Sequence, residues 1–312
     1  MSDSQPSVLV VGSVAVDWVI TPRAEREESI GGAATFFSMS ASYLSNVRLV
    51  GVVGDDFPKQ GIEDLGARGV DLDGLEVNPE GKTFRWKGKY HENMNSRDTL
   101  DTQLGVFEAF DPKLPEHYRN TEYLFLANIV PALQLKVLEQ MQTRPKLVGL
   151  DSMNLWIDIA RDDLVKVISK VDVLTINEEE AMQLTGEHNL VKAAKAIRGM
   201  GPHSLVIKRG EYGALLFHDE EIFSAPALPL EDVVDPTGAG DSFAGGFMGY
   251  LARGVEPTGE NLRTAMIYGS VLASYNVEGF SYDTMKNLSI EKIQSRFDRF
   301  SRLTDFSKAA LD

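Results

Sequence analysis

Apolar and polar positions along this chain follow two periods in turn. Residues 7–20, SVLVVGSVAVDWVI, open with a continuous apolar run, as a strand buried on both faces does. They then alternate through Ala15-Val16-Asp17-Trp18-Val19-Ile20, the pattern of a half-exposed strand. The charged stretch Arg23–Glu28 reads as a loop, and GGAATFFSMSASYLS (31–45) as a small-residue helix entered through two glycines. VRLVGVVG (47–54) reads as a strand and residues 58–68 as a helix. Strand, helix and strand in this order predict a parallel sheet.

Residues 82–110 break that rhythm. KTFRWKGKY and the alternating segment Thr99–Phe110 read as strands joined by a polar turn at Glu92–Arg97, which predicts a β-hairpin insertion or small secondary sheet. The α/β rhythm then resumes with strands at 122–127, 146–151, 172–176 and 204–208, and helices at 132–142, 161–169, 178–185 and 189–199. A hairpin at 213–225 and helices at 238–253, 259–276 and 290–301 complete the chain. The pattern describes one doubly wound α/β domain with a small β-rich appendage.

At 312 residues the chain is long enough for a large single core. It is 43% hydrophobic and 25% charged, as ordinary globular proteins are. No apolar run is long enough to span a membrane, and MSDSQPSVLVVGS lacks the marks of a signal peptide. The absence of cysteine excludes disulfides, thiolate nucleophiles and Cys-based zinc sites, and fits a cytoplasmic protein. A formal net charge of −15 argues against non-specific binding of nucleic acid or anionic membrane. The same field opposes an anionic substrate, which would need Mg²⁺ and local donors to enter.

One segment carries most of the chemistry. Asp235-Pro236-Thr237-Gly238-Ala239-Gly240-Asp241 is a glycine-rich turn that runs into an amphipathic helix. Gly238 and Gly240 let the backbone turn tightly and approach a bound group. The N–H groups at the helix start, with the positive end of its dipole, suit an anion such as a phosphoryl group. Asp241 sits where a hydroxyl could lose its proton beside that anion, the pairing that phosphoryl transfer needs. Taken alone, the residues equally describe a turn whose acid merely suits the helix dipole.

VGSVAVD near the N-terminus, the diglycine at 31, NEEE after a strand and DPTGAGDSFAGGF late in the chain occur in a distinctive order. Together they resemble the ribokinase-like (PfkB-type) carbohydrate and nucleoside kinase family, from about Val8 to Gly279. The resemblance implies a three-layer, doubly wound Rossmann-like α/β core in a single domain, with a small β-sheet lid from about 14–30 and 82–110. It implies ATP-dependent transfer of the γ-phosphoryl group to an alcohol of a sugar or sugar-like acceptor. Nucleoside kinase activity is the alternative within the family, and a non-catalytic nucleotide or sugar sensor the alternative on the same fold.

Residue by residue, Asp241 matches the family's catalytic base, and Gly238, Ala239 and Gly240 its anion hole. Asp235 and Thr237 match residues that bind a monovalent cation, K⁺, in many members. Asn177 and Glu180 match an N-x-x-E element that places Mg²⁺ and phosphate, Glu180 acting through water; the same spacing is an ordinary capping box. Asp17 matches an acid that hydrogen-bonds acceptor hydroxyls, and Gly31 and Gly32 let the acceptor lie close to backbone. Without the family, Asp17 is an exposed strand acid.

Asn128 and Asp151, with Asn154, sit at strand C-terminal ends, where ligands of open α/β sheets gather, and are acceptor candidates or N-caps. Lys208 and Gly210 match the segment lining the ATP cleft, although a lone strand-end Lys is usually a solvated charge. Asn276 lies near the segment that flanks adenine.

The chain departs from the family beside the diglycine, where Phe36 stands near a position that is often Asn. It departs again at Asp151-Ser152-Met153-Asn154-Leu155-Trp156, which alters the Asp-x-Asn-x-Arg pattern of several sugar kinases. Both changes disfavour a simple ribose or fructose acceptor; an aromatic pocket wall would suit a nucleoside. Alternatively Phe36 faces the core. VVGSVAVD lacks the spacing of a dinucleotide-binding G-x-G-x-x-G, and no P-loop GxxxxGK[ST] occurs. The hairpin strands, with Trp18, Phe84, Trp86 and Tyr90, offer either an open edge for a homodimer through the lid or the lid's underside.

Overall fold

The computed structural model describes residues 6–305, so the first residues of the segment read for a signal peptide lie outside it. In chain order the strands are β1 Ser7–Val11, β2 Ala15–Ile20, β3 Glu25–Gly31, β4 Asn46–Gly54, β5 Asp71–Asn78, β6 Phe84–Tyr90 and β7 Arg97–Gln103. They continue with β8 Tyr123–Leu126, β9 Leu147–Asp151, β10 Val173–Asn177, β11 Ser204–Lys208, β12 Ala214–His218 and β13 Glu221–Ala225. The helices are α1 Ala33–Ala41, α2 Lys59–Ala67, α3 Pro131–Gln140, α4 Asn154–Ile159 and α5 Arg161–Ile168. After them come α6 Glu178–Thr185, α7 Leu190–Arg198, α8 Ala239–Leu251, α9 Gly259–Asn276 and α10 Ile290–Leu303.

Nine strands form one sheet in the order β13-β12-β11-β10-β9-β8-β1-β4-β5. From β11 to β5 every neighbour is parallel, and β12 and β13 close one edge as antiparallel strands. The two-residue period of a strand splits the core into two apolar layers. Val8 and Val10 of β1 and Phe125 of β8 face a layer shared with α1, α8 and α9. Leu9, Val11, Leu124 and Leu126 face the other, shared with α3, α5, α6 and α7. Helices on both faces of a parallel sheet are why the strands read as continuous apolar runs.

α8 is wedged between two other helices at near-backbone contact. A Cβ at Gly245 would stand 2.3 Å from the Phe37 carbonyl oxygen of α1, and one at Gly246 2.7 Å from that of Tyr268 on α9. Phe247 and Leu251 are fully buried on the same helix, each worth about 2–3 kcal/mol of apolar transfer. The helix that carries the glycine-rich motif is therefore held on both sides.

A second sheet, ordered β3-β2-β6-β7, stands beside the strand ends, with β2 and β6 parallel and the other pairs antiparallel. The Arg23–Glu28 loop expected from sequence is corrected here: Glu25–Gly31 is β3, paired with β2. Its first four residues are exposed, so polar side chains cost nothing and hide the strand. The strand expected over Thr99–Phe110 stops at Gln103, and Gly105–Ala109 is a short 3-10 turn that places Phe107 against Phe84 and Phe110. β5 and α4 have no counterpart in the periodicity; β5 is a mixed-polarity edge strand. β7 is exposed along its length. Among the described residues no helix is long and apolar enough to cross a membrane.

Candidate active site

The candidate residues converge where β1, β9, β10 and β11 end and α8 begins. At the mouth of β1, Ser13 caps α1: its Oγ accepts the Ala33 N–H at 3.0 Å, and its carbonyl accepts that of Ala34 at 3.0 Å. Gly32, at φ 96°, makes that entry possible, with no room for a Cβ against the Ser13 carbonyl.

Asp17 is only 6% exposed, not the exposed strand acid that alternation alone describes. A Cβ at Gly31 would lie 1.9 Å from its Oδ2, so the carboxylate rests directly over the glycine backbone. Burial first, then Asp235 and Asp241, push the Asp17 carboxyl up to about 8, against the pull of Arg97. Asp241 stands in the first turn of α8 and is also pushed up to about 7, by burial and then Asp151, with Lys208 and Arg97 pulling down.

The turn before it is built from internal bonds. Gly238 is the left-handed N-cap of α8 at φ 76°. A Cβ there would come within 2.3 Å of the Phe36 ring, and Phe36 itself is 2% exposed in the core. The pocket-wall reading of Phe36 is thereby corrected: the ring supports the turn from below. Ala239 donates its N–H to the Pro236 carbonyl at 3.1 Å, so that amide is already engaged; the anion-hole role of Ala239 is corrected to a bracing one. Gly240 remains as an amide at the open start of the helix, while that of Asp241 bonds its own carboxyl.

Asp235 is 1% exposed; its Oδ1 accepts the Thr237 N–H at 2.8 Å, while its Oδ2 is buried with no hydrogen-bond partner. Burial pushes this carboxyl up to about 6, against hydrogen bonds from Thr237. Thr237 Oγ1 donates to Tyr90 Oη at 3.1 Å, which ties the second sheet to the turn.

Lys208 is not a solvated charge. Its Nζ donates to Asp151 Oδ2 at 2.8 Å, with side-chain exposures of 17% and 6%, and would lie 3.1 Å from a Cβ on Gly240. Burial disfavours the ammonium, but Asp151 and Glu180 outweigh it and hold Lys208 charged. Asn177 and Glu180 form the capping box of α6, with Asn177 Oδ1 accepting the Glu180 N–H at 2.8 Å and Glu180 Oε2 accepting the Asn177 N–H at 2.9 Å. Glu180 is buried, and burial pushes its carboxyl up to about 7 while Lys208 opposes. One carboxylate oxygen is committed to the cap and the other is left for a ligand.

Two candidates are placed differently. Asn276 is fully buried; its Nδ2 donates to the Thr237 carbonyl at 2.7 Å and its Oδ1 accepts from Ser242 Oγ at 3.1 Å. The adenine-flanking role is corrected to a brace of the turn. Asn128 spends its amide on Trp156 Nε1 at 2.7 Å and Met153 Sδ at 3.2 Å, which docks α4 rather than meeting an acceptor. Gly210, at φ 54°, lies exposed past β11, and a Cβ there would stand 2.7 Å from Asn95 Oδ1 in the β6–β7 turn.

Sequence reasoning missed Arg97 and named Tyr90 only for a dimer interface or the underside of the lid. The β6–β7 register pairs them, and the field of Arg97 reaches Asp17, Glu180 and Asp241 from outside the core sheet. The apolar–polar alternation of β6 pointed to Tyr90, whereas nothing in the polar stretch around Arg97 distinguished it.

Residues 5–286 match the pfkB family carbohydrate kinase profile. A cytidine kinase of Thermococcus kodakarensis is 35% identical, over 79% of this chain and 89% of its own length. In structure the chain resembles a nucleoside kinase from Methanocaldococcus jannaschii, with a TM-score of 0.75, 20% identity and coverage of 95% of this chain and 99% of that one. It also resembles the aminoimidazole riboside kinase of Salmonella enterica complexed with aminoimidazole riboside and an ATP analogue, with a TM-score of 0.73, 20% identity and coverage of 93% and 99%.

Proposed function

The chain belongs to the pfkB family of carbohydrate kinases, enzymes that move a phosphoryl group from ATP to a sugar or nucleoside, and we propose that its acceptor is a nucleoside, with Asp241 as the base. The carrying observation is that two acids, buried Asp17 and half-buried Asp241, lie within each other's field at a glycine-built helix start. The kinship with a cytidine kinase over most of both chains supports the nucleoside.

In this reading Asp17, resting on Gly31, accepts hydrogen bonds from the ribosyl hydroxyls. Asp241 takes the proton of the attacking hydroxyl as its oxygen bonds to the γ-phosphorus. The bond from that phosphorus to the β–γ bridging oxygen breaks, and ADP leaves. The Gly240 amide and the dipole of α8 stabilise charge on the transferring oxygens. Lys208, held charged by Asp151, and Arg97, carried in by the hairpin, add positive charge on two sides. The second sheet serves as a lid, and Tyr90 latches it to Thr237.

Glu180 fits an Mg²⁺ role through water, since a buried carboxylate with one free oxygen lies beside the Lys208–Asp151 pair. Bound there, such an ion would supply positive charge to offset that of the triphosphate. The orphaned Oδ2 of Asp235, with Thr237 beside it, fits a monovalent cation such as K⁺. The exposed β7 edge is the surface we assign to a homodimer, which sedimentation over a dilution series tests.

ADP release is to be measured with cytidine, uridine, adenosine and inosine, against ribose, fructose and inositol, for wild type and Asp241→Asn. Turnover is expected on a nucleoside, with kcat about 10²–10⁴-fold lower in the variant. Turnover confined to free sugars or inositol would overturn the nucleoside acceptor, and an undiminished variant would overturn Asp241 as base.

A further inference from the structure

The far end of β11 from Lys208 carries a second constellation, of side chains suited to a softer metal. His203 immediately precedes β11, His218 ends β12, and Asp219 follows it in the turn to β13. Their ligand atoms all lie within 4.8 Å of one another. His203 Nε2 is 3.0 Å from Asp219 Oδ1, and His218 Nε2 is 3.3 Å from Asp219 Oδ2. With metal–ligand bonds of about 2.0–2.1 Å, neighbouring ligands of a tetrahedral ion stand about 3.3 Å apart, so this spacing matches one ion between them.

The three side chains are also held from behind. Arg198 donates Nε to the His203 carbonyl at 3.1 Å and Nη1 to the Asp219 carbonyl at 2.5 Å, clamping both loops to the end of α7. Asp219 sits at φ 49°, a left-handed conformation that aims its carboxylate back at the two rings. His218 Nδ1 is 2.8 Å from Ser204 Oγ. A hydroxyl both donates and accepts, so Ser204 Oγ can accept the hydrogen bond of Nδ1–H and leave Nε2 with a free lone pair, the arrangement that metal-bound histidines use. The two rings meet edge to face at 4.7 Å between centroids, their planes nearly perpendicular.

We propose that His203, His218 and Asp219 form a three-ligand site for a divalent transition ion, Zn²⁺ being the expected occupant, with water in the fourth position. Two imidazoles and one carboxylate are a ligand set that Zn²⁺ takes readily and that Mg²⁺ does not favour. The ion staples the β12–β13 turn to the loop entering β11, at the edge of the nine-stranded sheet. β11 rises about 3.3 Å per residue, so its length puts the site about 13 Å from Lys208 and apart from the phosphoryl-transfer cleft.

The full chain is to be stripped with chelator and titrated with ZnCl₂ by calorimetry, beside His203→Ala, Asp219→Asn and His117→Ala. His117 belongs to a second acidic cluster, with Asp71 and Asp73, and controls for binding there. Both His203 and Asp219 are 63% exposed, so their replacement leaves the fold intact, which the circular dichroism spectrum checks. One Zn²⁺ per chain is expected with a Kd on the order of micromolar, weakened at least about 10-fold in His203→Ala and Asp219→Asn and unchanged in His117→Ala. At a free Zn²⁺ concentration about 100 times Kd the folded-to-unfolded ratio should rise about 100-fold in wild type and not in the two ligand variants. Equal binding by wild type and the ligand variants, loss of binding only in His117→Ala, or no saturable binding up to about 100 times the expected Kd would each overturn the site.

Discussion

Replacing Asp17 by Asn separates what this residue costs the fold from what it does for an acceptor. Its carboxyl has an ordinary value of 3.8 and is pushed up to about 8 in the folded protein, first by burial, then by Asp235 and Asp241. The folded chain therefore keeps a proton that the unfolded chain releases, so stability declines as pH rises from about 4 to about 8. Each pH unit across that interval is worth about 1.4 kcal/mol, so Asp17 accounts for at most about 4 kcal/mol between pH 5 and pH 8. Relaxation around the site leaves about 2–4 kcal/mol as the measurable part. Asn has nearly the same volume and cannot ionise in either state. Urea unfolding of the ligand-free protein at pH 5 and pH 8 reads the effect directly. The decline between the two pH values should be smaller in Asp17→Asn by about 2–4 kcal/mol, while kcat/KM falls at least about 10-fold as an NH₂ donor replaces one of the two oxygens that face the acceptor. Parallel pH dependence in the two proteins would refute the account of Asp17 as a buried acid held at a cost to stability.

Because Asp241 is pushed up to about 7 and must be ionised to accept a proton, kcat/KM should climb about tenfold per pH unit below that value and level above it; a flat profile from pH 5.5 to 8.5 would sink its role as base. Arg97→Ala should lower kcat/KM about 10-fold and move the limb of that profile upward, since its field pulls both Asp17 and Asp241 down; Arg97 is exposed, so the melting temperature should not change. An unmoved limb would remove Arg97 from the site. Gly31→Ala puts a Cβ 1.9 Å from Asp17 Oδ2 and should cost about 1–3 kcal/mol of stability together with at least about 10-fold in kcat/KM; normal kinetics would show that the carboxylate does not need its place over the glycine.

The parallel core was legible because strands buried on both faces leave unbroken apolar runs, and the glycine turn because its backbone has few alternatives. β3 was not, since its Glu-Arg-Glu-Glu start is exposed and strand pairing with β2 leaves no trace in local polarity. Asp17 and Lys208 looked like surface charges for a related reason: Gly31 of the next strand covers one, and Asp151 of β9 neutralises the other. One partner is on the neighbouring strand and the other two strands away, and both are invisible to periodicity. Asn276 failed in the opposite sense, because proximity to the nucleotide end did not reveal that Thr237 and Ser242 already hold its amide.

The Phe36 ring beneath Gly238 constrains how a chain of this kind can change its habits. An aromatic that appears to offer a handle on acceptor choice is a wedge under the reacting turn, so altering it disturbs the transfer step before it alters preference. The four-stranded sheet is more permissive, because β7 is exposed from end to end and a new side chain there displaces no core neighbour. Freedom to vary thus begins one residue beyond Arg97, whose charge reaches Asp17 and Asp241.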